Sequence, residues 1–307
     1  MCPACIASAG MVVGSVVSTG GVTALVMKVL GRKRARKVFR RKGEAIMTKA
    51  TVEKNETKVV SHAEWLAARK QFLVKEKEFT HLRDELSRQR RELPREKVEK
   101  KYVFEGPDGK IELLDLFGGL SQLVVYHFMF GPGWKEGCPS CSFIADQFDS
   151  IALHMAQRDT RLVAVSRATG PEIEAFKKRM GWKFPWVSSF GNDFNYDYHV
   201  SFSKEDTASG KAIYNYDTSS FPSEEGPGAS VFYRKDGEIF HTYSTYGRGL
   251  DTMLNAYNFI DLTPKGRDED SLPYPMAWVR HHDKYGDPKA LDAIMLIAQS
   301  KDGSVAD

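Results

Sequence analysis

From Ser61 to Leu93 the apolar positions follow a helical spacing. Trp65, Phe72, Phe79, Leu86 and Leu93 recur every seven residues, with Leu66, Leu73 and Leu82 on the same side. The opposite side is almost entirely charged. Ser61 followed by Glu64 has the form of a capping box, and Pro94 ends the helix. A single apolar line on a charged rod has two fates: burial across a core, which is the commoner, or use as a dimerisation or docking arm, which implies a homo-oligomer.

The period then changes. Two alternating runs, Lys101–Glu105 and Lys110–Leu114, flank Gly-Pro-Asp-Gly and predict a hairpin. The dense apolar run SQLVVYHFM, residues 121–129, predicts a buried central strand. After a Gly/Pro break and a Cys-Pro-Ser-Cys motif, residues 142–159 read as one helix that buries Phe143, Ile144, Phe148, Ile151 and Met155. Arg161–Ser166 predicts a second buried strand, and Pro171–Met180 a helix with Pro171 in its first turn. Strand, helix, strand, helix implies a parallel crossover. Residues 190–228 lose periodicity and become aromatic and polar, too long for a simple connection, so they predict a structured insertion. Ala229–Arg234 and Glu238–Tyr243 alternate about Lys-Asp-Gly as a second hairpin. A helix at Leu250–Ile260 and a last one at Pro288–Ser300 complete the pattern.

Four stretches follow: a leader at 1–46, a polar start with the amphipathic helix at 47–100, an α/β domain at 101–262, and a C-terminal extension at 263–307. The leader has no charge from Met1 to Met27. Its apolar run at residues 4–30 exceeds the roughly 20 residues that span a bilayer. Nine basic residues between Lys28 and Lys42 follow it without an acid. A secretory signal carries its positive charge before the apolar run, whereas here it comes after. The expectation is a membrane helix that keeps the basic cluster and the body on the cytoplasmic side of the inner membrane. An amphipathic leader, or a start at Met47, is the alternative. Removing those nine charges from the net +4 leaves a body at −5, a poor electrostatic match for nucleic acid. Four cysteines in 307 residues exclude a disulfide-stapled secreted scaffold.

The candidate chemistry centres on Cys138 and Cys141. A buried strand, a Gly/Pro loop, CxxC and a helix place Cys138 at a helix N-terminus, where unpaired N–H groups favour a thiolate, and Cys141 one turn on, within disulfide reach. CxxC in a βαβ context is a redox signal; two buried structural cysteines are the plainer alternative. Cys2 and Cys5 form a second CxxC with no zinc-like partner nearby. His127, His199 and His241 lack metal-ligand spacing, so no metal and no cofactor is expected, and His127 and His241 are expected to hydrogen-bond within the sheet. His281 and His282 read as a surface pair. Trp134, Trp186, Tyr198 and Tyr216, with Arg167 at a strand end, are candidates to line a substrate cleft over the cysteines; a second aromatic core is the alternative for the insertion. Arg179, Arg248 and Arg267 are further candidates for anion steering, or structural ion-pair residues.

The runs "EWLAARKQFLVKEKEFTHLRDELSRQRRELP", "YVFEGPDGK", "LVVYHFMFGPGW", "GCPSCSF", "VAVSRA", "FKKRMGWKFPWVSS", "DFNYDYHVSF", "SVFYRKDGEIFHTYSTYGRGLD", "DLTPKGRDE" and "WVRHHDKYG" resemble the thioredoxin-like bacterial family known as domain of unknown function 899. They cover most of the chain from Ser61 to Gly286. The resemblance implies a thioredoxin-like core, a central mixed sheet flanked by helices, and no settled activity. Thioredoxins carry Trp before the first cysteine and Gly-Pro between the two; here Gly137 precedes and Pro139-Ser140 intervene. Where peroxiredoxins carry a threonine, Glu136 stands, and Pro227 lies two residues before the position of the thioredoxin cis-proline.

Two functions are expected. One is a thiol–disulfide oxidoreductase or thiol-dependent peroxide reductase, with Cys138 attacking, Cys141 resolving, a small-molecule or thiol substrate and a cellular thiol reductant. The other is a non-catalytic thioredoxin-like module that sequesters a small molecule or protein partner. For the leader, the full chain should sediment with membranes and resist a high-salt wash, while a chain starting at Met47 should stay in solution. Release of the full chain by salt would show that the basic cluster acts alone.

Overall fold

The computed structural model describes residues 57–219 and 221–286. The apolar leader, Cys2, Cys5, Met47 and the helix expected at Pro288–Ser300 lie outside the described residues. Among those described, no helix is long and apolar enough to cross a membrane.

Helix α1 spans His62–Glu92. Its first turn is closed as expected: Ser61 N–H donates to Glu64 at 3.0 Å, and Glu64 N–H to the Ser61 hydroxyl at 3.3 Å. The expectation that it lies across a core is not met, since none of its side chains is buried and Trp65, Phe72, Phe79 and Leu86 stay exposed.

The body from Arg90 onward is built on one eight-stranded mixed sheet, in the order β1-β10-β9-β4-β5-β6-β2-β3. Its strands are β1 (Glu96–Lys97), β2 (Val103–Gly106), β3 (Gly109–Glu112), β4 (Gln122–His127), β5 (Thr160–Ser166), β6 (Trp186–Ser188), β9 (Gly228–Lys235) and β10 (Glu238–Tyr246). Strands β4, β5 and β6 run parallel, and β9 is antiparallel to β4. Both expected hairpins form, β2–β3 and β9–β10. The three-residue strand β6 has no periodic signal of its own and is fixed by its pairing with β5.

The single helix expected after the cysteines is two, α2 (Pro139–Ala145) and α3 (Phe148–Ala156). At the break, Asp146 accepts from Trp182 Nε1 at 2.9 Å and Gln147 donates to the Met253 carbonyl at 2.5 Å, so both side chains are held by distant segments. Helix α4 (Gly170–Met180) has a capping box from Thr169 and Glu172 and ends at Gly181, whose φ of 69° suits glycine. The insertion folds into α5 (Phe194–Asp197), α6 (Lys204–Ser209) and a small hairpin, β7 (Ala212–Tyr214) with β8 (Asp217–Ser219). The rings of Phe202, Tyr214 and Phe221 pack at 4.6–6.0 Å and join the same buried cluster as Tyr126, Cys138 and Cys141. A short helix α7 (Asn255–Ile260) follows a 3₁₀ segment, so the helix expected from Leu250 is shorter and irregular at its start.

Strand alternation divides the interior into two clusters. Tyr126 and Phe128 face one, with Cys138, Cys141, Ile144, Phe148 and Trp186. Leu123 and Val125 face the other, with Val163, Val165, Phe194, Tyr198 and Phe232. His127 stands on the second side, stacked on Tyr198 at 6.0 Å between ring centroids and hydrogen-bonded through Nε2 to the Ser230 hydroxyl at 2.8 Å.

Two buried groups titrate far from their ordinary values. Burial, with His241 nearby, pushes His127 down to about 3. Burial pushes Glu225 up to about 7, opposed by the Arg167 guanidinium and the Ser201 hydroxyl. A histidine depressed in the fold stabilises above its unfolded value near 6.5 and loses that stability as pH falls toward 3; a raised carboxyl stabilises at low pH and loses it as pH rises through 7. The His127 contribution changes by at most about 1.4 kcal/mol per pH unit below 6.5. Urea unfolding at pH 7 and pH 5 should therefore show a smaller loss of stability in His127→Asn than in the wild type. Equal losses would remove His127 from the acid response.

Candidate active site at the CxxC turn

The last residues of β4 lead into the buried segment Phe128–Phe130, which returns as a loop to Cys138. Cys138 N–H donates to the Met129 carbonyl at 3.0 Å, closing that loop. Cys138 then caps α2, and its carbonyl accepts from the Ser142 N–H at 2.9 Å and the Ser142 hydroxyl at 3.0 Å. Pro139 occupies the first helical turn, where its missing N–H costs nothing. Gly137 is required by packing: a Cβ there would lie 2.5 Å from the Phe128 ring and 2.9 Å from that of Phe176.

Both cysteines are thiols and both are buried, Cys138 at 3% and Cys141 at 2% exposure. Cys141 Sγ accepts from the Met129 N–H at 3.5 Å. Tyr126 enters the same cluster from β4. Its ring is fixed edge-on against Phe148 at 5.3 Å, and its hydroxyl meets the Cys141 thiol in a weak hydrogen bond. Burial, with Cys141 and then Cys138 beside it, raises the phenol well above its ordinary range. Tyr126 was not a sequence candidate, because a tyrosine inside an apolar strand reads as core.

The C-terminal extension packs against this turn. His281, read from sequence as part of a surface pair, is 1% exposed. Its Nε2–H donates to the Gly137 carbonyl at 2.8 Å, so Nδ1 is left to accept from the Arg179 guanidinium at 3.0 Å. That arrangement holds the ring neutral, and burial lowers its pKa accordingly. Arg179 also pairs with Glu136 and Asp283, both at 2.8 Å, and Lys284 with Glu136 at 2.6 Å. A cavity of about 270 Å³ lies there, lined by Pro139 and Ser140 on one side and by Tyr274, Met276 and His281 on the other.

The five expected cleft residues are not brought together. Trp134 is half-buried over Gly131 and packs on the cysteine cluster. Trp186 is in the core, donating from Nε1 to the Ser166 hydroxyl at 2.9 Å. Tyr198 belongs to the cluster on the other face of the sheet. Tyr216 is exposed at the tip of β7–β8. Arg167 reaches Glu225 at 3.3 Å and donates to the Tyr196 hydroxyl, and Glu225 in turn accepts from the Ser201 hydroxyl at 2.7 Å. Alternation explains the scatter, since residues on neighbouring strands share a face only at matched register. Arg248 pairs with Asp251, and Arg267 with Asp261 and Asp251, as structural ion pairs. His199 is exposed in a left-handed conformation, and among the described residues no group of three or more His, Cys, Asp or Glu could hold a metal.

Solved structures of similar architecture include peroxidoxin BcpB from Mycobacterium tuberculosis, 13% identical over 55% of this chain and 97% of that one, with a TM-score of 0.38. A variant of peroxiredoxin Q from Xanthomonas campestris is 15% identical over 51% and 90% of the two chains, TM-score 0.34. A variant of Xylella fastidiosa PrxQ is 14% identical over 52% and 89%, TM-score 0.33. No curated protein matches the chain. The central mixed sheet flanked by helices is the architecture that the sequence resemblance implied. A family model matches residues 54–285, three quarters of the chain, and the protein thus belongs to the bacterial family of unknown function DUF899.

Proposed function

We propose that Cys138 and Cys141 form a thiol redox centre that reduces small peroxides at the expense of a cellular dithiol. The observation that carries this reading is the enclosure of two thiols, one helical turn apart, with the buried Tyr126 hydroxyl against Cys141. In the first step the Cys138 thiolate attacks the distal peroxide oxygen. The O–O bond breaks, the alcohol leaves with a proton, and a sulfenic acid remains. The Cys141 thiol then displaces water from that sulfur and a disulfide forms. A dithiol returns both cysteines to thiols and is itself oxidised. The balance is one peroxide and one dithiol to one alcohol, one water and one disulfide. Burial of both sulfurs favours small substrates over folded protein disulfides. The same burial favours the second reading, a non-catalytic module with structural cysteines.

Timed alkylation with iodoacetamide and peptide mapping separates the two. Cys138, at the cap, should label faster than Cys141, and substoichiometric hydrogen peroxide should protect both through disulfide formation. Slow and equal labelling, unchanged by peroxide, selects the non-catalytic module.

Tyr126→Phe tests the phenol. Deleting a buried hydroxyl whose one partner is a weakly bonding thiol should leave stability within about 1 kcal/mol of the wild type. If the hydroxyl hydrogen-bonds a cysteine thiolate during turnover, Cys138 labelling and peroxide reduction should both slow severalfold. A variant with unchanged thiol kinetics would make Tyr126 a packing residue only.

A further inference from the structure

On the other face of the sheet a polar chain runs from the interior to the surface. His127 Nε2 and the Ser230 hydroxyl are 2.8 Å apart, the Ser230 and Ser244 hydroxyls 2.8 Å, and the Ser244 hydroxyl and His241 Nε2 2.7 Å. His241 Nδ1 lies 3.2 Å from the Glu96 carboxylate. The proton positions follow from the surface end. A carboxylate only accepts, so His241 Nδ1 carries the hydrogen and Nε2 is the acceptor. The Ser244 hydroxyl therefore donates to His241, Ser230 donates to Ser244, and His127 Nε2–H donates to Ser230. His127 Nδ1 is then the bare nitrogen, and it is the ring atom left without a partner.

A local irregularity of β10 makes this alignment. His241 and Ser244 are three residues apart and would point to opposite faces of a regular strand. The register passes from His241 opposite Phe232 to Tyr243 opposite Val231, so Thr242 is an extra residue and Ser244 comes to the same face, opposite Ser230. Glu96 is the direct cross-strand partner of His241 on β1. The His241 ring is braced by Tyr198 at 5.3 Å and Phe232 at 5.6 Å.

The group opens into a cavity of about 490 Å³, walled by Leu93, Pro94 and Tyr216, with Glu96, His241 and Ser244 among its lining. Tyr216 is independent evidence that the cavity is built. Asn215 and Tyr216 both have positive φ, 53° and 66°, in the two-residue turn of β7–β8. Such a turn favours Asn-Gly, and a bulky residue in the second position is disfavoured. Tyr216 is held there with its hydroxyl donating to the Ser244 carbonyl at 2.9 Å and its ring 5.6 Å from that of Tyr246.

We propose that Ser244, His241 and Glu96 form a second reactive centre, an acyl-transfer site for small esters that is separate from the cysteines. Ser244 Oγ attacks the ester carbonyl as its proton passes to His241 Nε2. The carbonyl–alkoxy bond breaks, and His241 returns that proton to the departing alcohol. Water then attacks the acyl-serine with His241 as base, releasing the acid and restoring Ser244. One ester and one water give one acid and one alcohol. Glu96 fixes the tautomer of His241 and supports its positive charge. The apolar wall and the cavity volume suit a short acyl or single-ring ester.

The test uses the full chain with an alkyl fluorophosphonate probe and with p-nitrophenyl acetate. Ser244 should carry the phosphonyl group in a peptide map, and p-nitrophenol release should be blocked in step with that labelling. His241→Gln should slow labelling by about 100-fold, and Glu96→Gln, at an exposed position, by about tenfold. Ser244→Ala should lose both signals, with its melting temperature measured alongside. Absence of a Ser244 adduct in the wild-type chain overturns the proposal. So does an unchanged labelling rate in Glu96→Gln, which leaves the core untouched and remains decisive even where the other variants fold poorly.

Discussion

Everything in this molecule hangs on the pleat of β4. Hydrogen-bonded to β5 on one side and β9 on the other, the strand has no freedom to rotate, so its side chains alternate rigidly between two interiors. Tyr126 is thereby committed to the thiols and its neighbour His127 to the serine hydroxyls. Two adjacent residues thus feed two chemically different compartments, one of sulfur and phenol, the other of imidazole and hydroxyl.

Much of the frame was legible in the sequence. The apolar run before the CxxC, the two Gly-marked hairpins and the proline-started helix each carry a local signal that survives folding. The capping box at Ser61 is a short-range device and forms as written. The failures are of another kind. Helix α1 has the stripe of a buried helix and buries nothing, because periodicity records that a face is apolar and not where its partner comes from. Strand β6 is three residues long and exists only through its neighbour. The helix after the cysteines breaks at Asp146 and Gln147, whose partners lie at Trp182 and Met253, far along the chain.

The site divides in the same way. Cys138 and Cys141 were visible because their spacing and their place between strand and helix are local facts. The cleft drawn around them from aromatic residues was not, since membership of a cleft depends on sheet face and register. Trp186 and Tyr198 illustrate this: both are buried aromatics, yet they occupy opposite clusters. His281 shows the converse error. Next to another histidine in a polar tail it reads as surface, yet it plugs the turn before Cys138 and is held there by an ion-pair network spanning residues 136, 179, 283 and 284.

The extra residue in β10 has a bearing on how this chain can change. Side-chain replacements along that strand alter one contact at a time. A change of length at Thr242 is different in kind: removing that extra residue would keep the pairing with β9 and leave His241 and Ser244 two positions apart in a regularly alternating strand, still on one face. The stretch from His241 to Tyr246 can therefore lose that one residue without parting the imidazole from the hydroxyl. What the extra residue adds is local bend and twist, which bear on the angle at which imidazole and hydroxyl meet and not on the face they share.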